Sequence, residues 1–382
     1  MTCAHIRHKT IPNLKSKIQN GMKRPFYIFS NGRLCRRQNT VYLEKSGEER
    51  TPDDTESDEG KPSSSQMLGR VPLPIEQIEG LYCFGEVDIN SKLITFLGQN
   101  SVPVFFYDYY GNFTATLYPR DYLLSGRLKV AQAKHYLQNL KRMQLARIFV
   151  DTAAYNILRV LKYYQPRLTG DSAQAVQQTI LWIESLRLNI PNMRDTQALM
   201  GIEGNIRDAY YRTWGYLLGD AIKEKFPFDK RERNPPSNEL NALISFGNAM
   251  CYSATLRQIY RTALDPTISY LHEPGERRFS LALDMSEIFK PLLVDRAIFR
   301  LLKTGVIQPK HFEERLGGVF LKENGRKLFV EHWDERLRQT IQHRALNRKV
   351  SYERLIRLEC YQLTRYLMDP KNETYEGFRM WW

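Results

Sequence analysis

Asp284 and Glu287 stand three residues apart in the stretch 272–295, HEPGERRFSLALDMSEIFKPLLVD, so a helix there carries both carboxylates on one face. Leu281, Leu283, Ile288 and Leu292 are apolar enough to bury that helix in part. Buried carboxylates next to the imidazole of His272 must be neutralised. A divalent cation is one way to do this. The plainer alternative is a solvated acidic face beside a histidine that only hydrogen-bonds. Arg277, Arg278 and Lys290 lie among these groups and suit a polyanion. A third carboxylate, Glu203, shares a helix face with Arg207, Tyr210 and Trp214 through i, i+4, i+7 and i+11 spacing; taken alone it reads as a surface Glu–Arg pair. Gly204 follows it. A mid-helix glycine costs about 1 kcal/mol against alanine, so a close approach to the helix backbone is expected there.

The elements around these residues change character along the chain. From Lys23 the pattern is of strands: FYIFS, a turn at Asn31-Gly32 and RLCRRQNTVYLE read as a hairpin. RVPLP and LYCFGEVDI continue the strands, and a short helix fits Ser91 to Leu97. PVFFYDYY and FTATLYP close a second hairpin around Gly111-Asn112. Near Ser125-Gly126 the apolar period becomes helical. Helices are expected over 128–164, 171–188 (capped by Asp171 or Ser172), 195–218 and 237–264, then over the site stretch, which Pro291 should kink and Gly305 end. A hairpin at VFLKENGRKLFVE and helices at 332–344 and 351–368 follow, with the aromatic tail EGFRMWW packed on the body. The fold class is α+β, with these expected divisions: a flexible extension 1–21; a small sandwich-like β-domain 22–115 with a disordered acidic loop 46–67; a linker 116–127; and a larger helical domain 128–382.

The 382 residues carry 56 Lys and Arg against 42 Asp and Glu, a net charge of +14. Residues 46–67 hold seven acidic and two basic side chains, which leaves the rest of the chain at +19. A body that basic points first to nucleic acid and second to an anionic membrane. Five cysteines without a CxxC pair argue for a reducing compartment and against a zinc ribbon or disulfide framework. No apolar run approaches the ~20 residues of a membrane span, and no apolar segment follows the basic N-terminus as in a secretory signal. A cytoplasmic protein is expected.

Several separated motifs carry a resemblance. LHEPGERRFSLALDMSEIFKPLLVDR is similar to the signature of the CRISPR adaptation integrase family, the CRISPR-associated endonucleases of spacer acquisition. EGNIRDAYYRTW resembles that family's first metal-ligand motif and NPPSNELNALISFGNAMCYS its central helix. MKRPFYIFSNGRL, IEQIEGLYCFGEV and FYDYYGNFTATLYPRDYLLSG resemble its β-domain and linker. The likeness runs in order from Met22 to about Leu367; residues 1–21 and 46–67 fall outside it. It implies a catalytic metal site for Mg²⁺ or Mn²⁺ on Glu203, His272 and Glu287, with Asp284 in a supporting role or on a second metal. The implied reaction inserts a short protospacer duplex into a CRISPR repeat by 3′-OH attack, in the cytoplasm of a prokaryote. Arg277, Arg278 and Lys290 would hold the target phosphates, and Lys230, Arg231 and Arg233 the strand bearing the 3′ end. The implied assembly is a homodimer through the β-domains, with two dimers bridged by a small ferredoxin-like CRISPR-associated partner. A repair nuclease for branched DNA and a catalytically idle DNA-binding scaffold of the same fold are the alternatives.

Overall fold

The computed structural model describes residues 23–46, 69–120, 123–232, 235–275 and 279–381. The expected extension 1–21, the acidic loop beyond Ser46, and Arg233, Arg277 and Arg278 lie outside the described residues.

The N-terminal part is built from strands β1 (Arg24–Ile28), β2 (Gly32–Arg37), β3 (Thr40–Lys45), β4 (Gly69–Pro74), β5 (Ile78–Cys83), β6 (Val87–Ile89), β7 (Val104–Tyr107) and β8 (Phe113–Leu117), with helix α1 (Ser91–Gln99) after β6. They form two four-stranded sheets, in the orders β1-β5-β7-β8 and β4-β3-β2-β6. The expected β7–β8 hairpin is present, but the one expected across Asn31-Gly32 is not. There the chain leaves one sheet for the other: β1 pairs in parallel with β5, and β2 pairs with β3 through a turn at Gln38-Asn39. The corner is tied down by Asn31, whose side chain accepts from Glu86 N at 2.9 Å. Glycine is required at Gly32, where φ is +151° and a Cβ would sit 2.1 Å from Glu44 O.

Leu34 and Val41 of one sheet, Ile78, Leu81 and Val104 of the other, and Leu93 and Leu97 of α1 form the core between the sheets. Alternate residues of the β1-β5-β7-β8 sheet, Tyr82, Phe105 and Tyr107, point the other way into the helical core. That sheet is therefore covered on both faces, as central parallel strands require.

The helical part comprises α2 (Gly126–Leu137), α3 (Asn139–Tyr164), α4 (Gly170–Asn189), α5 (Thr196–Arg212), α6 (Trp214–Leu218), α7 (Asp220–Lys225), α8 (Glu239–Tyr260), α9 (Ser280–Lys290) and α10 (Arg296–Lys303). It continues with the hairpin of β9 (Phe312–Arg315) and β10 (Gly318–Leu321), α11 (Glu323–Arg338), the hairpin of β11 (Thr340–His343) and β12 (Arg348–Ser351), and α12 (Tyr352–Met368). Among the described residues, no helix is long and apolar enough to cross a membrane. The run expected over 128–164 is interrupted at Gln138, and that over 195–218 at Thr213. The late hairpin turns earlier than expected, at Leu316-Gly317, both with positive φ. The rest of the stretch expected to form the hairpin, from Glu323 on, opens α11 instead.

Helix α8 is the axis of this body, buried on nearly all sides. Its Gly247 faces the segment after α9, where a Cβ would lie 2.4 Å from Val294 Cγ1. The C-terminal tail packs on α3, as expected. Asn156 of α3 donates to Phe378 O at 2.9 Å and to Ile288 O of α9 at 3.0 Å, and accepts from Met380 N at 3.0 Å. One buried amide thereby joins the tail to α9.

Under the tail, Glu359 of α12 is 3% exposed and accepts from the Tyr375 hydroxyl at 2.5 Å. Burial pushes its carboxyl up from 4.5 to about 7, against the pull of that hydroxyl. The folded chain thus holds this proton more tightly than the unfolded chain. Its contribution is complete below pH 4.5 and is lost as pH rises through 7, about 3 kcal/mol in all. Glu359→Gln is expected to flatten that part of the stability profile and to raise the urea midpoint above pH 7. Unfolding curves from pH 4 to 8 test it; identical profiles for the two proteins would contradict it.

Candidate metal centre

The loop before α9 and the helix itself are stitched together by backbone groups. Leu281 N donates to Pro266 O at 3.0 Å and Ser280 Oγ to Thr267 O at 2.7 Å, which satisfies part of the helix N-terminus. Asp284, fully buried, takes up the end of the loop. Its Oδ2 accepts from Tyr270 N and Leu271 N at 2.7 and 2.9 Å; its Oδ1 accepts from His272 N at 3.1 Å and lies 2.7 Å from His272 Nδ1. With Nδ1–H donating to a carboxylate, Nε2 is left with its lone pair for a ligand. Burial lowers the His272 pKa, but the hydrogen bond and charge of Asp284 outweigh it, and the net shift is upward.

Glu287 lies one turn along α9. Its two oxygens accept separately, Oε2 from Arg207 Nη2 and Oε1 from Lys290 Nζ. Arg207 Nε also reaches Glu203 Oε1 at 3.3 Å. Helix α5, capped by Asp195 on Ala198 N at 2.8 Å, buries Leu199, Ile202, Ile206 and Tyr210 and so turns Glu203 and Arg207 toward α9. Burial raises the Glu203 carboxyl, and the nearby charge of Glu287 raises it further, against Arg207 and His272. Burial would raise Glu287 too, but Arg207 and Lys290 prevail and hold it low. Asp295, buried beside Arg207, is pushed up to about 7, chiefly by burial.

The structure thus brings Glu203, His272 and Glu287 into one electrostatic neighbourhood with Arg207 and Lys290. Among the described residues, no three His, Cys, Asp or Glu side chains close on a common point at ligating distance. The ion pairs supply the reason, since Glu287 has each oxygen on a cation. The donor set of two carboxylates and an imidazole, without thiolate, fits a hard divalent cation that keeps waters.

Pro291 has no N–H to give to the Glu287 carbonyl, and the helix passes into a π-turn over Pro291–Asp295. The carbonyls displaced there find side chains: Ile288 O takes Asn156, and Leu292 O takes Arg336 at 2.9 and 3.2 Å.

Other residues expected to do chemistry are placed differently. Lys290, read as a phosphate-facing cation, is 9% exposed and turned inward onto Glu287. Arg231 bonds Asn241 Oδ1 at 3.0 Å and Ser245 Oγ at 2.8 Å, which pins the loop to α8. Lys230 is exposed and pairs with Glu232 at 2.9 Å. Among the described residues, nothing outside the backbone of its own helix stands within 4 Å of where a Gly204 Cβ would be, so none of them makes the close approach expected at α5. Asn156 was not singled out by its sequence context; its signal is a lone amide inside the apolar stripe of α3.

Comparison with known proteins agrees with this architecture. The sequence model of a family described as "CRISPR associated protein Cas1" matches residues 26–335. A CRISPR-associated endonuclease Cas1 of Fusobacterium nucleatum is 41% identical over 362 residues, covering 94% of this chain and 98% of that protein. One of Moorella thermoacetica is 42% identical over 359 residues, covering 94% and 100%. A solved Cas1 protein from Thermotoga maritima superposes with a TM-score of 0.77 at 36% identity, covering 94% of this chain and 100% of that one. A casposase bound to integration product, at 18% identity and TM-score 0.75, covers 94% and 95% and shares the fold. With two sheets and a helical body around α8, and with these matches along nearly its whole length, the chain belongs to the Cas1 family of CRISPR-associated endonucleases.

Proposed function

We propose that this protein is a metal-dependent DNA endonuclease and integrase that inserts short protospacer DNA into a CRISPR array. The observation that carries the reading is the Asp284–His272 pair, which leaves Nε2 as the ring's one available donor beside Glu203 and Glu287. These three residues would hold Mg²⁺ or Mn²⁺, and Asp284 would act as a positioning residue. A divalent cation bound there supplies Lewis acidity toward a phosphodiester oxygen and lowers the pKa of a water or sugar hydroxyl.

The chain's own residues do the remainder. Asp284 holds the His272 tautomer, the packing of α5 on α3 and α4 and of α9 on α3 and α8 keeps the carboxylates partly out of water, and basic side chains bind the DNA backbone. In the reaction a DNA 3′ oxygen, having lost its proton to solvent, bonds to a phosphorus of the repeat. The repeat's own 3′ oxygen leaves in line, so one diester replaces another. Water in place of the hydroxyl gives hydrolysis. Lys230, with Arg233, Arg277 and Arg278, remains assigned to phosphate contacts. A homodimer through the β-domains, bridged by a small ferredoxin-like CRISPR-associated protein, belongs to the same proposal.

A 3′-OH duplex incubated with Mn²⁺ and either a repeat-bearing plasmid or a branched junction tests the function. Joined product on the plasmid is expected. Equal hydrolysis of both DNAs without joining would favour a repair nuclease, and no chemistry on either would favour an idle scaffold. DNA affinity should also fall steeply with salt as counterions are released: six phosphate contacts would lose about a thousandfold between 50 and 200 mM. A flat response in a binding titration would contradict the phosphate contacts.

A further inference from the structure

Two buried cations stand on the carboxylates that the metal reading assigns as ligands. Arg207, 8% exposed, spans Glu203 and Glu287, and Lys290 takes the second oxygen of Glu287. Among the described residues, neither cation forms a hydrogen bond or ion pair with another carboxylate, although Asp295 lies near enough for its charge to act on both. Two carboxylates buried side by side without counter-charge would be strongly disfavoured, so these pairs keep α5 and α9 in contact. The same oxygens cannot serve an ammonium or guanidinium and a metal ion with full strength. Two fixed positive charges within a few ångströms also repel a dication.

We infer that Arg207 and Lys290 are resident counter-cations, with which a divalent ion must compete for Glu203 and Glu287, and that they set its affinity low. The inference rests on the metal reading of the site. It differs from a purely structural role for these two side chains in one respect. A structural role predicts that removing either one only weakens the fold. Competition predicts a weaker fold in chelator together with tighter metal binding.

The test uses the full-length protein without DNA. Mn²⁺ binding is measured by titration calorimetry, and thermal unfolding is followed in chelator and in excess Mn²⁺. Lys290→Gln and Arg207→Gln are each expected to bind Mn²⁺ about tenfold more tightly than wild type. Each should unfold at a lower temperature in chelator and gain more from Mn²⁺ than wild type does. Lys290→Arg, which keeps the charge, should bind Mn²⁺ as wild type does. If Arg207→Gln does not fold, Lys290→Gln decides alone. Wild type binding Mn²⁺ with neither neutral variant binding it more tightly would overturn the inference and leave the metal reading standing. Absence of Mn²⁺ binding in wild type would overturn both.

Discussion

Mn²⁺-dependent cleavage and joining are expected to fall by a thousandfold or more in His272→Ala, while duplex affinity changes by less than about twofold. The hydrogen-bonding partners of a metal-ligating histidine are commonly worth about 10- to 100-fold, so the ligand itself should exceed that range. Asp284→Asn supplies the internal comparison. The aspartate oxygens accept from three backbone N–H groups and the ring. An amide must turn its NH₂ toward some of those donors or toward Nδ1. In the second case the ring proton moves to Nε2 and closes the donor position, as a wrong tautomer does in a catalytic triad. A loss of about 10- to 100-fold is expected. The pH profile separates this from general damage. Asp284 raises the His272 pKa, and a protonated ring cannot ligate, so activity should fall away on the acid side. Without the carboxylate that acid limb should move to lower pH. Unchanged joining in His272→Ala would remove the histidine from the chemistry.

The i, i+3 spacing of Asp284 and Glu287 was legible because helical period alone puts the two on neighbouring positions of one face, and both are buried on α9. What they touch was not. Three residues along a helix differ by about 60° around the axis, enough for Asp284 to meet the preceding loop and Glu287 to meet α5. Which way each turns depends on partners that are distant in the chain.

The inward turn of Lys290 has the same cause. A lysine three residues after a glutamate reads equally well as its ion pair or as a phosphate anchor, and the burial supplied by α8 and α3 selects the pair. Asn31-Gly32 carries the local chemistry of a hairpin turn, but parallel pairing of β1 with β5 and the hold of Glu86 on Asn31 convert it into a passage between sheets. Most helices of the C-terminal half came through because long apolar periods average over local exceptions, but the helix expected over 332–344 is instead the end of α11, at Arg338, followed by strand β11. The breaks at Gln138 and Thr213 did not come through, since neither residue is a helix breaker.

Arg257→Met is expected to destabilise the protein by about 3–5 kcal/mol, the cost of leaving buried carboxylates short of a cation. Arg257 of α8 is fully buried over the Tyr82 ring, 5.4 Å from its centroid. It pairs with Glu353 of α12 and lies 4.0 Å from Glu79 of β5. Arg261 and Arg357 also hold Glu79, at 3.1 and 3.0 Å, and Gln258 donates to Glu353 at 3.0 Å. Sheet, central helix and late helix therefore meet in one charged cluster rather than through apolar contact alone. Burial pushes Glu353 up to about 7 even with Arg257 beside it; without that cation it should titrate higher still. The double variant Arg257→Met/Glu353→Met then becomes informative. Removing both partners should recover at least half of the single-variant loss, because the uncompensated carboxylate is gone. Urea unfolding of the two single variants and the double variant closes the cycle. Simple additivity, or a single-variant loss below about 1 kcal/mol, would mean that apolar packing holds the sheet to α8. Coupling of the expected sign would extend to the site. Glu79 and Arg257 fix where α8 lies against the sheet, and at Gly247 the same helix has no spare room against Val294 in the turn that follows Glu287. A shift of α8 in Arg257→Met should therefore also lower Mn²⁺-dependent joining at temperatures where the variant is still folded.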